Sequence, residues 1–137
     1  MLAARTYSIS IDRNWQALYD AIWQPGIFAK WASGLAQSAL RQEGDRWVTE
    51  GPDGAIAIRF TPHNAFGVMD HVVEVPDGSP VVVPMRVIPN GEGAEVLLTL
   101  FRQPGMTDEM FARDAKWMTR DLRALKAFVM GESPPPR

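Results

Sequence analysis

Three side chains in this chain of 137 residues could do chemistry by type and position: His71, Asp114 and Asp121. The two aspartates belong to TDEMFARDAKWMTRDLRALKAFVM, Thr107 to Met130, which scans as a single amphipathic helix of about six turns. Phe111, Met118, Leu122, Leu125 and Val129 form its apolar stripe, widened by Met110, Trp117 and Phe128. Arg113, Lys116, Arg120 and Arg123 take the opposite, solvated side. At roughly 100° per residue both aspartates fall inside the apolar arc, between Leu125 and Trp117. A carboxylate in a low-dielectric pocket has a raised pKa and can serve as an acid, a base or a polar anchor. The structural alternative is pairing with an arginine, or capping backbone N–H groups of the first two helices, because charges are rarely buried alone. That alternative suits Asp121 better, while Asp114 is open to both. Seven residues apart, the two carboxylates sit about 10 Å from each other along one face.

His71 lies in an alternating run, Val68 to Val75, where Met69, His71, Val73 and Val75 share one face and Asp70 and Glu74 the other. Alternation therefore turns His71 inward. An imidazole in an apolar cavity can hydrogen-bond a ligand oxygen or move protons near neutral pH. The competing and commoner reading is a buried neutral histidine bonded to Asp114, to a tyrosine hydroxyl or to water. His63, in a Pro-Asn turn, is expected to be exposed. Asp70 and His71 are adjacent in a strand and point to opposite faces, which disfavours joint metal binding, and no other metal-ligand spacing is present. No nucleophile elbow, P-loop or dinucleotide fingerprint occurs either. No metal and no cofactor is expected.

The elements that must hold these groups follow in order. Tyr7 to Ile11 alternates as a strand; Asp12 can cap a helix from Arg13 to Trp23; Pro25-Gly26 ends it, and Ile27 to Ala32 allows another turn or two. Six candidate strands then run Leu35–Gln42, Arg46–Glu50, Ala55–Phe60, Val68–Val75, Val81–Ile88 and Ala94–Arg102, separated by Gly-, Pro- and Asp-rich turns. Such short connections make neighbours antiparallel. Pro84 inside a strand predicts a bulge that bends the sheet. Val81, Val83, Met85, Val87, Val96, Leu98 and Leu100 form an apolar inner face, joined by Ile56, Ile58 and Phe60, with Arg59, Arg86, Glu95 and Thr99 outside. Trp47 is expected to line the same space. The architecture is α+β: a seven-stranded curved antiparallel sheet around a long C-terminal helix, with two short helices after the first strand. The domain spans residues 1–131, and the Pro-rich residues 132–137 read as a disordered tail.

The bulk numbers narrow the function classes. A net charge of −2 argues against nucleic-acid binding, which wants a basic face. With no cysteine, disulfides, zinc-thiolate sites and thiol catalysis are excluded. No signal-peptide run and no apolar stretch of about 20 residues is present, so stable membrane insertion is not expected and a cytoplasmic location is.

Three stretches carry a family resemblance: SISIDRNWQALYDAIWQPGIFAKWASGL, FGVMDHVVEV and VPMRVIPNGEGAEVLLTLFR, followed by the terminal helix. The chain resembles the START/SRPBCC superfamily, the helix-grip fold of the birch-pollen allergen, lipid-transfer START domains and polyketide cyclases, and in particular small bacterial members labelled polyketide cyclase. The resemblance covers nearly everything from Tyr7 to Met130. It implies a sheet gripping the last helix, with Trp15, Trp23 and Trp31 sealing the core near the sheet's mouth, but fold does not settle activity. The expected function is binding of a small hydrophobic molecule (a lipid, polyketide-like or aromatic compound) between sheet and helix. His71 and Asp114 would anchor it, Trp117, Met118, Met85 and Leu98 would line the pocket, and Asp121, Phe60 and Ile58 are further candidates. The loop Pro62 to Phe66 and the helix Ile27 to Trp31 are the expected gate. One alternative is a cyclase or dehydratase in which His71 or Asp114 moves protons. Another is an interaction or co-chaperone-like module with a closed core and an exposed outer patch of Val82, Leu97 and Phe101, a patch that also leaves room for a homodimer.

Overall fold

In the computed structural model, which describes residues 1–76 and 78–132, the elements run β1 (Ala4–Ile11), α1 (Trp15–Ile22), α2 (Pro25–Phe28), β2 (Arg41–Glu43), β3 (Arg46–Gly51), β4 (Gly54–Phe60), β5 (His71–Glu74), β6 (Val81–Val83), β7 (Met85–Asn90), β8 (Gly93–Phe101) and α3 (Asp108–Met130). All strand pairs are antiparallel, in two sheets ordered β1-β8-β7 and β2-β3-β4-β5-β6. The expected sixth strand, Val81–Ile88, is divided at Pro84, so eight strands rather than seven are seen among the described residues. Proline has no N–H for the ladder, and its carbonyl bonds Thr99 N–H of β8 instead. On either side of that break, β6 pairs with β5 and β7 pairs with β8. In place of the bulge expected at Pro84 there is a break, where one sheet hands over to the other.

Two predicted strands are shorter than expected. Residues 35–40 are irregular because Ser38 takes over the pairing: its hydroxyl accepts Glu50 N–H, and Thr49 Oγ1 donates to the Ser38 carbonyl. Side chain has replaced backbone as the partner, and only Arg41–Glu43 remains a strand. In Val68–Val75 the first three residues leave the strand. Met69 N–H donates to Met85 and Gly67 accepts from Val87 N–H, so this piece leans onto β7. Gly67 has φ +69°, and a Cβ there would come within 2.2 Å of the Val87 carbonyl oxygen, so only glycine permits the approach. The outer side of this junction is clamped by Asp70, which accepts Met85 N–H and both Nε and Nη2 of Arg86. Arg86 therefore faces outward, as alternation requires.

The helix caps follow local chemistry. Asn14, not Asp12, caps α1, its Oδ1 accepting from Gln16 and Ala17 N–H, and Pro25 opens α2 at its first turn rather than ending a helix. Thr107 accepts Met110 N–H at the start of α3, and Gly131 closes it with φ 70°. Phe111, Leu122 and Leu125 of α3 are buried, whereas Met110 and Phe128, expected to widen the stripe, are exposed. The core gathers α1, α2 and the inner faces of both sheets, with Ile11, Leu18, Ile22, Ile58, Met85, Val87, Val96 and Leu125 essentially inaccessible. No helix among the described residues is long and apolar enough to cross a membrane. The tail reading falls on 133–137, outside the described residues.

Candidate functional site

Because α3 crosses the inner side of the sheets from one end, core closes one part of the gap and leaves the other open. The open part is a cavity of about 570 Å³. Its deep end is lined by the buried residues Phe28, Trp31, His71, Val73 and Leu98. Its rim is made by the β3–β4 turn (Pro52, Asp53), by Val75 and Pro76 after β5, by Gln103 and Met106 before α3, and by Arg113, Asp114 and Trp117 on α3. The volume falls within the range of small-molecule sites, about 300–1,000 Å³.

His71 is buried at 3% exposure. Its Nδ1 lies 3.1 Å from the Met69 carbonyl oxygen. A carbonyl only accepts, so Nδ1 carries the hydrogen and Nε2 holds a lone pair. Burial pushes the imidazole pKa down, against weaker upward pulls from the Met69 bond and from Asp70, so the ring is neutral at pH 7. The Phe28 ring stands edge-on to it at 5.2 Å, and edge-on to Trp31 at 5.1 Å. Trp31 is itself 2% exposed, and its indole Nε1 has no hydrogen-bond partner among the described residues.

The two aspartates part company. Asp121 is buried and accepts Gly34 N–H at 3.2 and 3.3 Å through its two oxygens. It ties the segment after α2 to α3, the capping role that the sequence left as its structural alternative. Gly34 fits because a Cβ there would lie 2.7 Å from Trp117 Cβ and 3.0 Å from Asp121 Oδ2. Asp114 sits half-buried at the rim, its pKa raised by burial and only partly offset by the adjacent Arg113. Its bonded partner is Arg113 Nε at 3.3 Å, and His71 bonds Met69, so no His71–Asp114 hydrogen bond is made. Arg113, expected on the solvated face, instead lies over the Trp117 ring at 4.5 Å and reaches Asp53 across the rim at 3.8 Å.

Of the residues expected on the pocket wall, His71, Leu98, Asp114, Trp117, Met118 and Asp121 line the cavity. Met85 and Phe60 line a separate crevice of about 10 Å³ on the far side of His71, and Ile58 is wholly enclosed in the core. Trp47 does not line the cavity: it stands opposite Ile58 in the β3–β4 pair and stays partly exposed. Of the expected gate, the segment Ile27 to Trp31 reaches the cavity through Phe28 and Trp31, whereas none of Pro62 to Phe66 lines it. The loop 61–70 is fastened to α1 by Tyr19 Oη, which accepts Asn64 N–H, and by His63, which contacts Asp20 Oδ1 at 3.1 Å and stacks on Tyr19. His63 is exposed, as expected, while resting against α1. Of the expected outer patch, Leu97 and Phe101 share the partly exposed face of β8 and Val82 is exposed, while Phe101 also meets the cavity rim. Trp31 is the residue that sequence reasoning undervalued, as a core seal. Its position three residues after Phe28, on the same side of one helical turn, was the available signal. Among the described residues no group of three His, Asp or Glu side chains could hold a metal.

No family model and no curated protein matches the sequence. Solved structures do match. An uncharacterised protein from Bacillus thuringiensis superposes with a TM-score of 0.74 at 15% identity, over 93% of this chain and 99% of that one. The protein Ara h 8.0201 gives 0.64 at 9% identity, over 96% and 100%. The fold is the helix-grip fold. DynU16, a protein of the dynemicin biosynthetic locus, gives 0.70 at 14% identity, over 96% of this chain and 48% of that one. At these identities the helix-grip likeness is one of architecture, and the site must be argued from its own residues.

Proposed function

We propose that this helix-grip chain binds a small, mostly hydrophobic molecule, of lipid, polyketide-like or aromatic type, in the cavity between the sheets and α3. The observation that carries the reading is the cavity itself: about 570 Å³, walled largely by apolar side chains, with few polar groups. A folded chain loses dispersion contacts and apolar burial by keeping such a space open, so an occupant that fills it gains both. His71 at the deep end and Asp114 at the rim are the polar anchors. Leu98, Trp117 and Met118 supply apolar wall, and Asp121 holds the wall in place through Gly34.

A second reading has its own support. Asp114 has a carboxyl pKa pushed up by burial, and His71 is neutral with a bare Nε2, which are states suited to general acid and base work. A cyclase or dehydratase on the same frame would use one of them, and DynU16 comes from a biosynthetic locus. His71→Ala separates the two readings, since a carrier loses affinity only, whereas an enzyme loses turnover with its substrate still bound. The closed-core module is disfavoured by the open cavity.

Native mass spectrometry of the protein purified from its own host, followed by denaturing extraction, tests the main reading. A stoichiometric hydrophobic compound released on unfolding is the expected result. Bare chain mass, together with no change in melting temperature across a broad hydrophobic ligand screen, would overturn it.

A further inference from the structure

Charge is unevenly shared around the cavity. Among the described residues its charged side chains are Asp53, Asp114, Asp121 and Arg113, three carboxyl groups against one guanidinium, while burial holds His71 neutral. That guanidinium already rests at the rim as a cation would. It stands 4.5 Å over the Trp117 ring, with Asp114 Oδ1 3.3 Å from its Nε and Asp53 Oδ2 3.8 Å from its Nη2. The Trp117 face attracts positive charge and both carboxylates add to the pull. Neither carboxylate is gripped, however. A charge-assisted N–H···O bond closes to about 2.7–2.9 Å, as Arg86 does with Asp70 at 2.8 Å, and both rim contacts are longer. Asp114 is the most enclosed of the three, its side chain 25% exposed against 40% for Arg113 and 81% for Asp53. Its carboxylate has room for about four hydrogen bonds and accepts one long one. Burial has raised its pKa, so its charge is under-compensated where it stands.

We propose that the cavity selects its ligand by charge: it takes a hydrophobic amine, whose body fills the apolar interior and whose ammonium donates to Asp114 at the rim. The inference rests on the cavity being a ligand site and adds the chemistry of the ligand's polar end. A carboxylate there would meet Asp114 and Asp53, with only a guanidinium that both already share to offset them. A hydroxyl can donate to Asp114 but leaves its charge uncompensated. An ammonium supplies both donor and charge. Arg113, partly exposed and loosely held, is then a resident competitor that swings towards solvent when the amine arrives.

Three matched probes test this at pH 7 and low salt by isothermal titration: decylamine, decanol and decanoate, the first cationic and the last anionic at that pH. Decylamine should bind one-to-one about tenfold tighter than decanol, the worth of a hydrogen bond to a charged group, and decanoate weakest of the three. Asp114→Asn should bring decylamine down to the level of decanol. Asp12→Asn, the same change of net charge at a residue that does not line the cavity, should leave the order intact. Arg113→Gln should tighten decylamine by removing its competitor, whereas an Arg113 that anchors anions would instead weaken decanoate and leave the amine unmoved. Decanol or decanoate binding as tightly as decylamine, or an amine preference that survives Asp114→Asn, overturns the charge inference and leaves the cavity reading standing. No binding of any probe overturns both.

Discussion

Single residues here carry their own pH signatures. His71 has a folded pKa below the ordinary value because burial disfavours its charged form. Below about pH 6.5 the unfolded chain takes up a proton that the folded chain refuses, so stability falls as pH drops, by up to about 1.4 kcal/mol per pH unit. His71→Phe should remove that fall between pH 6.5 and 5.5 in urea titrations; parallel wild-type and variant curves would show that His71 is not held neutral. Asp70 works in a lower window. Its pKa is lowered chiefly by the Arg86 guanidinium, so its stabilisation is present above about pH 4 and lost as pH falls further. Asp70→Asn should flatten the acid limb there and cost only about 1 kcal/mol at pH 7, because the pair is substantially exposed. Alternation in the sequence was enough to face His71 inward and Arg86 outward. It could not reveal the partner of Asp121, since Gly34 meets it across 87 residues of chain, and no local pattern encodes that distance.

At the scale of elements, α3 is held by a few deep apolar contacts, by the buried Asp121–Gly34 tie and by the more exposed ion pairs Asp108–Arg102 and Arg113–Asp53. Leu125 is fully enclosed, so Leu125→Ala should cost about 3 kcal/mol through lost burial and a residual void; a loss under 1 kcal/mol would mean that α3 is not packed as described. Gly34→Ala should cost about 2 kcal/mol by driving a methyl into Trp117 and Asp121, and an unchanged denaturation midpoint would contradict the close approach. The long helix was legible because its caps and period agree: Thr107, a 3.6-residue stripe, and Gly131. The sheet was legible in its strands and less so in its breaks. Pro84 announced a bend but not that two sheets meet there. Ser38 concealed the loss of a strand, because a hydroxyl standing in for a backbone group leaves the alternation of side chains intact. Met110 and Phe128 show the limit of periodicity, which gives an angular sector and not the width of the surface that covers it.

For the whole molecule, the cavity is a consequence of lengths and bends. Sheets that curve at Pro84 and a helix of 23 residues enclose more space than the core side chains of one end can fill. Position along the chain says nothing about that residual volume, which is why the fold and the inward faces could be read while the pocket boundary could not. Met85 and Phe60 point inward as expected and still miss the cavity, because His71 stands between it and their crevice. The proposed function makes this space a binding site. Val83 lines the cavity from β6, opposite His71 in the ladder, and is only partly buried, so Val83→Trp fills the space with little demand on the core. The most direct measurement is a fluorescence titration with N-phenyl-1-naphthylamine, on the wild-type protein and on Val83→Trp after matching their far-UV spectra. One saturable site, weakened at least tenfold in the variant, is the predicted result. Absence of saturable binding, or equal affinity in both proteins, would contradict it.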